Sequence, residues 1–367
     1  MSTQIRDGDT DIEIVDCDAH LTESVEDVLP YIDDTHSGIR RIIEETENPR
    51  QDIYSITHSM PTSLHSDRNA WNTEENSAEA KLERMDEFGI NLGIVSPGTN
   101  LALPTVNNTR ASVALSNGYN SWVLDTVVDE GEDRLKALLV LPHQRPDKAA
   151  EEIDRHGDES GVVGVTMSAT GLVPPPGHTR YDPIYEAAQR HDLPVFFHSA
   201  SINTSHAFPV QRMYNETYTE EHVTVHPFSH MQNLTSLIVQ GIPERYPDLQ
   251  FVFQEAGVGW IPYTVWRLDD HYLELEYEMP ILSKRPSAYV DDQISFTTQP
   301  LGLPTGNPEH TAWAIEMAGP DNVMFSSDLP HSDFDPPEEL YDRIEPHFDD
   351  GTVRNIMGGT ARRVLGW

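Results

Sequence analysis

The sequence of 367 residues predicts a (β/α)8 barrel, read as one domain over 1–367. Three observations predict it. Eight short apolar, strand-like runs alternate with helical segments, the order of parallel strands joined by crossover helices. Eight such units in about 350 residues favour a closed barrel over an open doubly wound sheet. No Gly-x-Gly-x-x-Gly opens a helix after the first strand, as a dinucleotide-binding sheet would require.

The elements follow in order. Residues 1–10 are polar. The first strand is expected over 12–18, where Ile12, Ile14 and Val15 lead into Asp16-Cys17-Asp18-Ala19-His20. Period-two alternation sets Asp18 and His20 on one side of it and turns Cys17 into the barrel wall. Residues 21–75 lack strong periodicity, apart from a helix near Ser37–Glu47, and read as a long functional loop. Over Ser77–Gly89, Leu82, Met85 and Phe88 form a helical stripe, and Gly89 is placed to cap its end. Leu92–Ser96 is the second strand, followed by a helix over Val106–Val128. Leu135–Leu141 is the third strand and Asp147–His156 the next helix. Val162–Met167 and Leu193–His198, separated by a helix at Pro183–His191, are strands four and five. A second excursion, 199–224, precedes a helix at Pro227–Gly241. Strands six to eight are Leu249–Gln254, Gln293–Thr298 and Asn322–Ser327, with helices at Gly259–Glu276 and Pro308–Ala318. The tail from Glu338 to Leu365 is helical in two pieces.

In a barrel the C-terminal strand ends share one mouth. Strand one ends in Asp18 and His20, strand five in His198, strand six in Glu255 and strand eight in Asp328. Two imidazoles and up to three carboxylates in a partly buried mouth need a compensating cation, and mixed nitrogen and oxygen donors suit Zn, Mn or Fe. His331, three residues past Asp328, is placed to orient substrate, and Glu23 to support the first strand's ligands. His226 and His230 have the i, i+4 spacing of a helical metal pair. They lack an accompanying Glu and flank an expected helix start, so they are not expected to bind metal.

The formal charge is −37, from 61 acidic and 24 basic residues, and only four of the basic residues are Lys. The acid is spread along the chain, so it reads as a solvated coat suited to high salt rather than a partner-binding surface. It argues against nucleic acid as a partner. Cys17 is the single cysteine, so no intrachain disulfide forms. No apolar signal segment opens the chain and no run approaches eighteen apolar residues. A cytoplasmic protein with no membrane partner is expected.

Further stretches carry a resemblance: Met85–Ile90, Gly241–Phe253, Gly257-Val258-Gly259-Trp260-Ile261-Pro262, Arg267-Leu268-Asp269, Ser326–His331 and Gly358–Leu365. With Asp16–His20 and Leu193–His198, they resemble the amidohydrolase-related family from about Ile12 to Leu365. The similar branch contains aminocarboxymuconate-semialdehyde decarboxylase and the phenolic-acid decarboxylases. The resemblance implies one divalent metal ion, zinc foremost and manganese as the alternative, on Asp18, His20, His198 and Asp328. The family's first-strand motif is usually His-x-His or a carboxylate variant. Its sixth-strand catalytic histidine falls on Glu255 here, so an imidazole acid/base is replaced by a carboxyl group. Arg267 matches an arginine that reaches substrate, partly across a dimer interface, which implies a homodimer. The implied reaction is nonoxidative decarboxylation of a small unsaturated or aromatic carboxylic acid, with Glu255 as acid. The alternative is hydrolysis of a lactone, amide or ester, with Asp328 as base. A barrel that binds a small acid without turning it over is a third reading.

Overall fold

The structure, a computed structural model, describes residues 5–7, 10–46, 77–200, 217–302, 307–331 and 333–366. Tyr54, Trp71, Phe208 and Tyr214, read in the sequence as candidate substrate contacts on the two long excursions, lie outside the described residues.

Eight parallel strands form the wall: β1 (Val15–His20), β2 (Leu92–Ser96), β3 (Leu135–Val140), β4 (Val162–Ser168), β5 (Val195–His198), β6 (Phe251–Gln254), β7 (Ile294–Thr297) and β8 (Val323–Met324). Each pairs with its neighbour in the chain. Closure comes from single backbone bonds between β1 and the segment after β8. Cys17 N donates to Phe325 O (3.1 Å), Asp328 N to Asp18 O (2.9 Å) and His20 N to Leu329 O (2.8 Å). This shortens β8 relative to the expected run to Ser327, because residues 325–329 turn their backbone toward β1. The closure sets Asp328 against Asp18.

Inside the barrel, Val15, Cys17, Ile94, Leu138, Val163, Phe196, Val252 and Met324 pack together and meet Ala361, Val364 and Leu365 of the C-terminal helix. Cys17 therefore lies in the barrel interior, not in the wall as alternation predicts. The register between β1 and β2 shifts between Asp16 and Ala19, and such an irregularity breaks the simple in-out pattern. Asp18 and His20 still converge, as expected.

Asp16 fastens the closure. Its buried carboxyl accepts from Ser327 N (2.9 Å), from Ser327 Oγ and from Asp18 N (3.1 Å). Asp16→Ala would orphan these donors in the interior and is expected to cost about 3 kcal/mol, read as a lowered denaturant midpoint at unchanged slope.

The crossover helices are α1 (Ser37–Glu44), α2 (Ala78–Phe88), α3 (Thr109–Val123), α4 (Pro146–His156), α5 (Asp182–Arg190), α6 (Tyr218–Val239), α7 (Ile261–Leu275), α8 (Pro286–Gln293), α9 (Glu309–Ala318), α10 (Pro337–Ile344) and α11 (Thr360–Leu365). Ser77 caps α2 by accepting from Ala80 N, and Gly89 ends it at φ +71°, as the sequence predicts. Helix α6 departs from expectation. It begins nine residues before Pro227, because Thr217 and Glu220 form a reciprocal capping box. Pro227 sits inside the helix rather than at its first turn. The second excursion is correspondingly shorter than 199–224, and His222, His226 and His230 lie on one helix at i, i+4 and i+8.

Candidate active site

His20 and His198 stand at the ends of β1 and β5, both fully buried. His20 Nδ1 lies 3.0 Å from Pro97 O, and His198 Nδ1 2.6 Å from Ser199 O. A carbonyl can only accept, so Nδ1 of each ring carries the proton and Nε2 carries a lone pair. The two Nε2 atoms face each other at 2.9 Å. Asp18 Oδ1 lies 3.2 Å from His198 Nε2 and 3.4 Å from His20 Nε2, and Asp328 Oδ1 lies 3.4 Å from His20 Nε2.

Ligand bonds of about 2.0–2.2 Å give a coordination polyhedron edges of about 3.0–3.4 Å. The Nε2 atoms of His20 and His198 and Oδ1 of Asp18 stand close to that spacing, and Glu255 offers a fourth ligand atom within 4.8 Å of theirs, whereas Asp328 joins the group through His20, together with His331. Two opposed lone pairs are unfavourable unless a cation or a proton lies between them. Asp18 Oδ2 is buried with no hydrogen-bond partner, which points the same way. The residues present thus fit one divalent ion, and their hard, nitrogen-and-oxygen chemistry suits Zn or Mn.

Burial and mutual charge pull the protons of this cluster in opposite directions. Burial pushes the Asp328 carboxyl well up, reinforced by Asp333 and Asp18. Burial likewise raises Asp18, but the charges of His198 and His20 outweigh it and hold that carboxyl at about 2. Burial lowers His198, yet Asp18 and Glu255 carry it up to about 9. A bound divalent cation would take over the charge that His198 otherwise supplies.

Glu255 follows β6 in the left-handed region at φ +59°, and Asp328 stands at φ +64°. Such backbone is uncommon for non-glycine residues and recurs at functional sites. Glu255 Oε2 lies 3.3 Å from His198 Nδ1. Its other oxygen lies 3.5 Å from His226 Nδ1. Burial first, then the Asp328 charge, push the Glu255 carboxyl well above the usual range, against the pull of His198.

His331 joins the cluster. Its Nδ1 lies 2.6 Å from Asp328 Oδ1, and its ring tilts against His20 with centroids 4.3 Å apart. Gln299 Nε2 donates to Asp328 Oδ2 at 3.0 Å. Glu23 acts at one remove. Its buried carboxyl accepts from Gly98 N (2.9 Å), Asn100 N (2.9 Å) and Asn100 Nδ2 (3.0 Å). This fixes the turn whose Pro97 carbonyl holds His20. Gly98 has to be glycine there, since a Cβ would meet Leu21 O at 2.3 Å.

Burial pushes the Glu23 carboxyl up to about 7 from 4.5, although its N–H donors pull it down. The folded protein then holds this proton more tightly than the unfolded chain. The stability Glu23 contributes is full below pH 4.5 and is lost as pH rises through 7. Denaturation of wild type and Glu23→Gln at pH 5 and pH 8 is expected to show wild type losing more stability across that window, by at most about 3 kcal/mol.

Arg267 stands apart. It is half-exposed on α7, paired with Asp270 and 3.0 Å from His271. Among the described contacts it meets none of the barrel-mouth residues. The sequence reading does not find His222, Gln299 or the Asp16–Ser327 clasp, and it sets aside His226, which the structure places with His222 beside Glu255. The i, i+4 spacing is the usable signal, and a helix start at Pro227 masks its extension to His222. His230 does lie outside the cluster: its Nε2 is 2.6 Å from Gln254 O.

No helix among the described residues is long and apolar enough to cross a membrane. The family model for amidohydrolases matches residues 15–367. A gamma-resorcylate decarboxylase from Polaromonas is 25% identical over 310 residues, covering 79% of this chain and 84% of the relative. The 5-carboxyvanillate decarboxylase of Sphingomonas paucimobilis superposes with a TM-score of 0.71 at 18% identity, over 97% of this chain and 99% of the other. A dihydroxybenzoic acid decarboxylase from Polaromonas, crystallised with manganese and 2-nitroresorcinol, superposes with a TM-score of 0.68 at 19% identity, over 97% of each chain. The relatives are decarboxylases of aromatic acids. With its eight-stranded barrel and a family match that runs from β1 to the C-terminus, the chain belongs to the amidohydrolase family.

Proposed function

We propose that the protein is a metal-dependent decarboxylase of a small aromatic or unsaturated carboxylic acid. The observation that carries the reading is the 2.9 Å approach of the buried His20 and His198 Nε2 atoms, with Asp18 Oδ1 beside both and Asp328 Oδ1 beside His20. These four residues hold one divalent ion, zinc or manganese, and manganese stands in the dihydroxybenzoic acid decarboxylase of the same fold. When bound, such an ion supplies Lewis-acid polarisation of the substrate's carboxylate and an oxygen beside it.

The chain's own groups do the rest. Glu255, whose carboxyl burial pushes well above its ordinary range, delivers a proton to the carbon bearing the carboxylate. A C–H bond forms there, the C–C bond breaks with its electron pair returning to the unsaturated system, and carbon dioxide leaves. Glu255 then regains a proton from solvent. His331 orients substrate from the Asp328 side, and Glu23 positions His20 through Gly98 and Pro97.

Arg267 serves as a substrate contact only in a homodimer, where α7 faces the mouth of the partner. Exposed Phe228, Tyr263, Trp266, Leu273 and Tyr277 on α6, α7 and the turn after them favour such an assembly. The acidic coat suits a cytoplasm of high salt. The test is a panel of hydroxybenzoic and unsaturated acids assayed for carbon dioxide release beside lactones, amides and esters assayed for acid release. Carbon dioxide from an aromatic acid is the expected result. Acid release alone would place the protein among hydrolases, with Asp328 as base.

A further inference from the structure

Beyond the four-residue ion site, the mouth holds a second group of ligand-type side chains. His222, His226 and Glu255 each offer one ligand atom, and these lie within 4.8 Å of one another. His226 is buried. It turns Nδ1 toward Glu255 Oε1 at 3.5 Å, and its Nε2 has no hydrogen-bond partner among the described residues. The rings of His222 and His226 stand 4.4 Å apart between centroids, one turn apart on α6. Asp333 adds a carboxylate, its Oδ2 lying 3.9 Å from His222 Nε2.

We infer that His222, His226, Glu255 and Asp333 form an outer divalent-cation site, separate from the inner one and sharing its rim at Glu255. Two imidazoles and two carboxylates are a donor set for zinc-like ions. Small side-chain rotations bring His222, His226 and Glu255 onto one ion, and Asp333, 3.9 Å from His222 Nε2, stands at the edge of the set. Charge favours the ion too. An ion there would displace the Glu255 proton, and the Glu255 and Asp333 carboxylates would then meet its charge.

The outer site has a functional consequence that rests on the proposed decarboxylation. An ion there occupies the Glu255 oxygens through which the proton would pass. The first equivalent of metal therefore activates and the second inhibits.

The test is equilibrium dialysis of the full chain against Zn²⁺ in high salt, with elemental counting of bound ion. High salt suppresses diffuse binding to the acidic coat. Two ions per chain are expected for wild type and one for His222→Gln and for His226→Gln. The partly exposed His222 makes its variant the one least able to disturb folding. Two ions falling to one in both variants supports the site whatever the substrate. One ion in saturated wild type, or two in both variants, overturns it. Turnover that stays constant as the second ion binds overturns the inhibitory role alone.

Discussion

His198→Ala is expected to remove the inner ion and turnover together. The imidazole leaves a position beside His20 Nε2 and Asp18 Oδ1, which lie 2.9 and 3.2 Å from its own Nε2. Without it, Asp18 and Asp328 face each other across one histidine instead of two. Burial already pushes Asp328 well up, so the variant site protonates rather than holding a cation. Even changes one layer outside a metal site commonly cost 10–100-fold in affinity; loss of a direct ligand is expected to exceed that. Elemental analysis of the purified variant checks the ion, and an assay at saturating metal checks whether activity returns. A variant that keeps its inner ion would remove His198 from the ligand set.

Glu255→Gln is expected to lower turnover by about 10²–10⁴, the range of general acid catalysis. The amide keeps the shape and one acceptor beside His198 and His226 but cannot pass a proton. The inner ion should remain, since Asp18, His20 and His198 keep their mutual spacing without the Glu255 carboxyl. KM should change less than kcat, because the lost interaction belongs to the transition state. Full turnover in this variant would move the proton donor elsewhere, with His226 the first candidate by position.

The ion site was legible because barrel geometry reduces the problem to reading strand ends. Asp18, His20, His198 and Asp328 each close a strand-like run; the structure gathers Asp18, His20 and His198 with Glu255, and sets Asp328 with His20 and His331. Other features depend on how the chain crosses itself. The β1 register shift moves Cys17 from wall to interior, and period-two counting cannot register such a slip. The shortened β8 follows from closure bonds to β1 that link residues more than 300 positions apart. The link from Glu23 to His20 passes through backbone atoms of a turn, which side-chain identities do not reveal. The extent of α6 was misread for a local reason. Pro227 resembles a first-turn proline, and the stronger Thr217–Glu220 box opens ten residues upstream. A helix start at Pro227 leaves His222 off the helix and sets His226 aside, although both stand beside Glu255, where a family histidine is replaced.

The most direct test of the decarboxylase reading is one reaction run in heavy water. The metal-loaded protein is incubated with whichever aromatic acid in the panel it consumes, and the product is examined by mass spectrometry and proton NMR. The account predicts carbon dioxide and a product with one deuteron at the carbon that carried the carboxylate. A product that retains all its carbon and gains the elements of water would contradict it and establish hydrolysis at the same site.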